Sequence, residues 1–229
     1  MTKPHQLSEI KLFSKLALIE LEKIGAYVNW TQHQAGKEII TRGEESSDIY
    51  LITEGIVRAT TFSYSGKEIC FQELEKGEIF GELSAIDHQP RSTSIIAQTD
   101  CTLGMIKAEH LWKLMEEYPI VMAAILKRLT SLIRFLCSRV YEYGALGARE
   151  RTRVEILRLA KNNMKNDRKA VITDMPTHES IANRIASHRE AVTKELSYLT
   201  KIGLIEKKGN TLIVPDIDAL SATIIENIA

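Results

Sequence analysis

FGELSAIDHQPRSTSI, residues 80 to 95, places a carboxylate, Glu82, directly after Gly81 and, nine positions later, a guanidinium, Arg91, between Pro90 and Ser92. Those groups suit a phosphodiester joined to a sugar. Arginine offers a planar fork of donors to phosphate oxygens. A carboxylate accepts from sugar hydroxyls and repels phosphate, so the two charges address opposite ends of such a ligand. Gly81 lets backbone approach closely. A helical turn beginning at Leu83 would aim the free N–H groups of Leu83, Ser84 and Ala85 at the same anion, with the Ser92 hydroxyl beside them. The bland alternative is a surface turn in which Glu82 and Arg91 pair with each other, an interaction worth little when exposed.

The order Phe-Gly-Glu-x-small followed by Pro-Arg-x-x-Ser/Thr resembles the phosphate-binding cassette of the cyclic-nucleotide-binding domain, matched here by Phe80 to Ser84 and Pro90 to Ser94. The resemblance implies a ligand held by Gly81, Glu82, Leu83, Ser84, Arg91, Ser92 and Thr93. It also implies a base flanked by Ala59, Phe71, Gln72 and Leu74, with core packing of these strand residues as the competing reading.

The 229-residue chain carries thirty basic and thirty acidic side chains, and the balance hides an asymmetry. Residues 149 to 208 hold 14 basic against 8 acidic side chains, a net of +6, while residues 1 to 143 carry a net of −3. A polyanion would therefore bind late in the chain. Cys70, Cys101 and Cys137 are scattered and form no metal spacing, so no metal is expected. No apolar run approaches a membrane span and the start, MTKPHQLSEI, has no signal core, which points to the cytoplasm and to no membrane partner. No catalytic constellation is legible, so an enzyme is not expected.

Leu7 to Ala26 has helical spacing, with Leu12, Leu16 and Ile19 on one face and a break near Ser14. From Tyr27 to Met105, short apolar runs alternate with glycine-bearing turns, predicting strands at Ile39–Ile40, Ile49–Ile52, Ile56–Val57, Ile69–Phe71, Ile79–Phe80, Ser94–Ala97 and Leu103–Ile106. Ser65-Gly66 is a hairpin signal. Many short strands argue for a sandwich or barrel, and the segment resembles the family's jelly roll.

Helical pattern resumes over Glu109 to Tyr118 and, after Pro119, continues to Tyr143. Met122, Ile125, Leu129, Leu132 and Leu136 are spaced 3, 4, 3, 4, an a/d seam that predicts a homodimer. In the resembled family this helix also closes the ligand pocket. Leu136 and Cys137 fall where its best-known member sets a Thr-Ser pair against adenine, which leaves cyclic AMP against cyclic GMP open. Gly144 to Gly147 reads as a hinge.

Arg149 to Asn163 reads as a helix that buries Val154, Ile156, Leu157, Leu159 and Ala160 with its arginines outward. Thr177 caps a short helix, Ala186-Ser187-His188 turns, and Arg189 to Ile202 is a second helix stopped by Gly203: a helix-turn-helix. Arg189 and Glu190 would meet base edges in a major groove, with Lys194 a further guanine or phosphate contact. The hairpin around Gly209-Asn210 is a wing whose Lys207 and Lys208 suit DNA phosphates, and Asp216 to Ala229 reads as a terminal helix. The stretch Ser187-His188-Arg189-Glu190 resembles the recognition helix of the Crp/Fnr superfamily, and the resemblance runs through most of the chain.

The fold expected is α+β: an effector jelly roll (residues 1–118), a dimerisation helix (119–143), a hinge (144–148) and a winged helix-turn-helix (149–229). The function implied is a dimeric regulator responsive to a cyclic nucleotide, cyclic AMP first. Its expected partners are a palindromic double-stranded operator and RNA polymerase. A cyclic GMP, haem, gas or redox sensor on the same scaffold, or a DNA binder that needs no ligand, are the rivals.

Overall fold

The computed structural model describes residues 4–64, 66, 68–166 and 168–225. By its contacts the chain divides into two units, residues 1–133 and 134–229.

The first unit opens with α1 (Pro4–Ser8), a 3-10 turn (Lys11–Phe13) and α2 (Leu18–Gly25). The break foreseen near Ser14 comes at Ala17, whose N–H is received by the Glu20 carboxylate at 2.7 Å. The buried side of α2 is Leu21 and Ile24, and the expected Ile19 is exposed. Eight strands follow: β1 (Asn29–His33), β2 (Glu38–Ile40), β3 (Ile49–Glu54), β4 (Ile56–Phe62), β5 (Glu68–Glu75), β6 (Ile79–Phe80), β7 (Ser94–Ala97) and β8 (Cys101–Ile106). They form two four-stranded antiparallel sheets, ordered β1-β8-β3-β6 and β2-β7-β4-β5, a jelly-roll sandwich.

The first sheet is covered on both faces. Ile49, Leu51, Ile79 and Ile106 pack on the helices, while Ile52, Phe80, Cys101 and Leu103 pack on the second sheet. Burial on both faces is why β3 reads as an unbroken apolar run. Strand β1, NWTQH, pairs only with β8 at the sheet's edge, and its polar sequence concealed it. Strands β4 and β5 form the hairpin foreseen at Ser65-Gly66, with Gly66 at φ +77° and Ser65 outside the described residues.

Between β6 and β7 lies α3 (Glu82–Asp87); α4 (Ala108–Glu117) and α5 (Pro119–Ala145) follow β8. Ile125, one of the expected seam residues, is only 2 % exposed and packs in its own unit's core. The exposed apolar line along α5 is instead Met122, Leu126, Ile133, Leu136 and Val140, with Leu129 half-buried between them.

The second unit contains the end of α5, α6 (Ala148–Asn162), β9 (Ala170–Ile172), α7 (His178–Arg184), α8 (Arg189–Lys201), β10 (Glu206–Lys208), β11 (Thr211–Val214) and α9 (Ile217–Ile225). The last residues of the terminal helix expected to run to Ala229 lie outside the described residues. The three strands form one antiparallel sheet, ordered β10-β11-β9. Ile156, Ile181, Ile185, Val192, Leu199 and Leu212 share one core, where truncating one large side chain to alanine costs about 2–5 kcal/mol. Two expectations for α6 fail. Arg153 and Glu155 are buried, while Val154, Leu157 and Leu159 are only half-buried. The buried charges are paired: Arg153 Nε donates to Glu195 Oε1 at 2.7 Å.

No helix among the described residues is long and apolar enough to cross a membrane.

Candidate effector site and DNA-facing surface

The cassette is built on the β6–α3–β7 connection. Gly81 joins β6 to α3 at φ +84°, in the left-handed region. A Cβ there would come within 2.7 Å of the Asp48 carbonyl oxygen and 2.8 Å of Arg91 Nη1, so glycine is needed for space as well as conformation. The helix starts at Glu82 rather than Leu83, and the Ala85 N–H, expected to be free, donates to the Gly81 carbonyl at 3.4 Å. The Trp112 indole N–H donates to the Ala85 carbonyl at 3.0 Å and fixes α3 on α4.

Arg91 is 3 % exposed, and all three of its nitrogens are engaged. Nε donates to Ser46 Oγ at 2.8 Å, Nη1 to the Gly81 carbonyl at 3.0 Å, and Nη2 to the Asp48 carbonyl at 2.8 Å. Its backbone is clamped as well: Arg91 N–H donates to the Glu44 carbonyl and its carbonyl accepts from Gly43. Burial lowers the guanidinium pKa from its ordinary value, while Tyr50, Asp48, Glu44 and Glu82 oppose that shift. A guanidinium has five N–H donors, so two remain beyond these three bonds.

Glu82 does not pair with Arg91, and the bland surface-turn reading is wrong in both its partner and its exposure. The carboxylate is 4 % exposed and accepts from Arg128 Nε at 2.8 Å; Arg128 Nη2 also donates to the Ile79 carbonyl at 2.6 Å. Leu83 is half-buried, Ser84 buried, Ser92 exposed and Thr93 half-buried. Leu74 and Ala59 lie in the core between the sheets; Phe71 packs against it half-buried, and Gln72 is half-buried too. Leu136 and Cys137 are exposed on α5. The sequence reading missed Ser46, Asp48 and Arg128. Arg128 had one signal: a cation on the same side of α5 as the buried Ile125, three residues earlier, needs a partner.

In the second unit, the Thr177 hydroxyl caps α7 by accepting the Ser180 N–H at 3.1 Å. The turn passes through Ala186 at φ +49° into α8. His188, Arg189, Glu190 and Lys194 are exposed along the start of α8, and Lys207 and Lys208 are exposed on the β10–β11 hairpin. His178, also missed, joins α7 to α8 through a 2.8 Å contact between Nδ1 and Thr193 Oγ1. Its pKa is lowered by burial and then by Lys207 and Arg189, which marks a concentration of positive charge at this surface. Among the described residues, no group of three or more His, Cys, Asp or Glu side chains could hold a metal ion.

A jelly roll bearing this cassette, followed in the same chain by a winged helix-turn-helix, defines a DNA-binding transcription regulator with an effector domain. Residues 30–118 match the cyclic nucleotide-binding domain family, and residues 132–223 match the Crp-like helix-turn-helix domain family. The chain belongs to the Crp/Fnr family. It is 26 % identical to the Cyclic AMP receptor protein of Thermus thermophilus over 95 % of this chain and 96 % of that protein. Its fold is similar to that of a CooA mutant from Carboxydothermus hydrogenoformans, with TM-score 0.77 and 21 % identity over 87 % of this chain and 88 % of that one. It is also similar to the c-di-GMP responsive global regulator CLP of Xanthomonas campestris, with TM-score 0.72 and 18 % identity over 86 % and 99 % of the two chains.

Proposed function

We propose that this protein is an effector-responsive homodimeric regulator whose jelly roll binds a cyclic nucleotide, cyclic AMP first, and whose winged helices bind a palindromic operator. The observation that carries the reading is the 3.0 Å bond from Arg91 Nη1 to the Gly81 carbonyl, which joins the two halves of the motif at one place. The nucleotide phosphate would compete for Arg91 donors now directed at Ser46, Gly81 and Asp48. The ribose would compete for Glu82, now held by Arg128. Because Arg128 stands on α5, occupancy at Glu82 changes a contact of the helix that carries the exposed apolar line. Ligand then shifts a population of dimers toward one in which two recognition helices stand about 34 Å apart. RNA polymerase is the further partner of such a regulator, and the cytoplasm its compartment.

The test is calorimetric titration of the full chain with cyclic AMP and, separately, cyclic GMP, with Arg91→Lys as control. Binding of one nucleotide, weakened in the variant, is the expected result. Absence of heat with either nucleotide would overturn the cyclic-nucleotide reading and leave DNA binding untouched.

One observation favours a second reading, an effector other than a cyclic nucleotide: each nitrogen of the Arg91 fork already donates to a protein acceptor, which leaves two N–H donors for a ligand. Leu136 and Cys137 in place of hydroxyl-bearing residues point the same way, as does kinship in fold with a regulator described as c-di-GMP responsive. Retention of operator binding together with silence toward both nucleotides is its signature.

A further inference from the structure

Three turns meet at the end of the sandwich away from the cassette: the β1–β2 corner, the β3–β4 turn and the β7–β8 turn. Between them lies an open groove of about 900 Å³, lined by residues that include Gln32, His33, Lys37, Glu54, Asp100 and Thr102. That volume falls within the range of small-molecule clefts, about 300–1,000 Å³. We propose that the groove binds a small zwitterion, an amino acid or short peptide, with its ammonium on Glu54 and Asp100 and its carboxylate on Lys37. Glu54 ends β3, and Asp48, whose carbonyl receives Arg91, precedes the same strand, so about 20 Å of chain separates the groove from the cassette. A zwitterion held here is a second ligand, independent of any nucleotide at Arg91.

Main-chain contacts hold the groove in shape. Gly36 N–H donates to the Ala97 carbonyl at 2.8 Å, and Ala97 N–H donates to the Lys37 carbonyl at 2.9 Å, which ties the β1–β2 corner to the end of β7. Gln98 N–H donates to the Ile56 carbonyl at 2.8 Å, which ties the β7–β8 turn to the start of β4. Gly55 lies between them at φ +89°, and a Cβ there would collide with the Asp100 carbonyl oxygen and Cys101 Sγ. The segment carrying Glu54 is thus pressed against the one carrying Asp100. Gln32, Thr102 and Glu54 stand opposite one another across β1, β8 and β3, so their side chains share one face.

Charge selects the ligand. The Thr102 hydroxyl donates to Glu54 Oε2 at 2.9 Å, and the Ala35 N–H donates to Asp100 Oδ1 at 2.9 Å. Each carboxylate is therefore fixed through one oxygen and offers the other. Glu54, Asp100 and Lys37 line the same groove, yet none of them has an ion pair among the described residues. Opposite charges held apart across a gap are met by a molecule that carries both signs. An ammonium brings three donors to the two free carboxylate oxygens, and a carboxylate accepts from the Lys37 ammonium and from the exposed Gln32 amide. His33 stays neutral near pH 7, because burial and then Lys37 lower its pKa, so Lys37 is the cation among these groups.

The experiment follows amide chemical shifts of the full chain during titration with alanine and with alanylalanine, each also with its amino group acetylated or its carboxylate amidated. The expected result is a saturable shift of the amides of Gln32 to Lys37 and Thr99 to Thr102 with a free zwitterion, and weaker binding of both blocked forms. A response to alanine marks an amino-acid site; a response to the dipeptide alone marks a peptide site. Glu54→Gln keeps an acceptor for Thr102 and removes only the charge. It should weaken the free zwitterion about fivefold and leave the acetylated form unchanged. Lys37→Gln should weaken the free zwitterion by the same factor and leave the amidated form unchanged. Absence of shifts at these amides with both free probes at millimolar concentration overturns the site. Blocked forms that bind as tightly as free ones also overturn it, as do shifts confined to Gly81 to Ser84 and Arg91, which would place the zwitterion in the cassette.

Discussion

Arg128 holds Glu82: Nε of the α5 arginine lies 2.8 Å from Oε1 of the cassette carboxylate, whose side chain is only 5 % exposed. The carboxylate that the sequence offered to a sugar is thus engaged by a residue 46 positions away. The same arginine reaches the Ile79 carbonyl, so one side chain ties α5 to both ends of the β6–α3 junction. A ligand taking Glu82 must release or share this arginine.

Removing Arg128 leaves a carboxylate in the interior without its cation. Arg128→Ala should destabilise the first unit by about 3 kcal/mol, read from denaturant midpoints. The companion Glu82→Gln, Arg128→Met pair should recover much of the loss, because no charge is then left uncompensated. Equal loss in the single and double variants would show that the arginine acts through packing alone.

Gly81→Ala adds a Cβ facing two fixed neighbours, the Asp48 carbonyl and Arg91 Nη1, at a backbone conformation that costs alanine about 1–2 kcal/mol. Carbonyl and guanidinium must both shift. The expected outcome is a lower unfolding midpoint together with loss of effector binding. A variant with wild-type midpoint and wild-type binding would mean that the β6–α3 junction can relax without disturbing Arg91.

Much of this was legible in the sequence because local pattern and global burial agree. Strand β3 shows its burial on two faces as an apolar run, and Thr177 announces the start of α7 by its capping chemistry. The missed buried charges have one physical cause: the partners that neutralise them are mostly distant in sequence. Arg153 and Glu155 look like solvent-facing charges until Glu195, Arg158 and Arg184 neutralise them. The α5 seam was read with Ile125 in place of Leu126 because adjacent apolar residues satisfy either phase, and only packing against the sandwich decides which turns inward. Edge strand β1 has no apolar alternation to read.

The corrected seam makes its own prediction. Ile133 is 61 % exposed and Val140 71 %, on a helix with charged residues to spare for solvent. Burying a large aliphatic side chain fully contributes about 1.5–3 kcal/mol, so this line is costly unless covered by a second copy. Ile133→Lys should convert a dimer to monomer in sedimentation analysis, while Lys127→Ala, on an exposed position off the line, should not. A wild-type chain that sediments as a monomer would remove the dimer from the mechanism.

A buried cluster spans the joint read at Gly144 to Gly147. Arg139 Nη1 lies 3.1 Å from Glu142 Oε2 and 3.7 Å from Glu155 Oε2; Arg158 Nη2 reaches Glu142 at 2.6 Å, and Arg184 Nη1 reaches Glu155 at 3.3 Å. Arg139 Nη2 also donates to the Arg184 carbonyl. Arg139 and Glu142 precede the glycines and the other members follow them, so bending there must separate buried charges. Arg139→Met should cost about 3 kcal/mol and speed amide hydrogen exchange at Gly144 to Gly147. Unchanged exchange would show that the glycines already move freely past the cluster.

His178 gives DNA affinity a pH dependence of definite sign. Burial, then Lys207 and Arg189, set its pKa below the ordinary 6.5, so the free protein carries it neutral near pH 7. DNA phosphates offset the two cations and favour the imidazolium, which raises the pKa in the complex. Binding therefore takes up protons, and affinity rises as pH falls through the bound-state pKa and levels off below the free-state value. Free-protein stability moves the other way. The unfolded histidine titrates higher than the folded one, so this group's share is full above 6.5 and is lost as pH falls toward the lowered folded pKa. Affinity measured at fixed salt between about pH 8 and pH 5.5 should show the rise, and His178→Gln should flatten it. A slope that persists in the variant would assign the proton uptake to another group, with His188, exposed at the start of α8, the next to test.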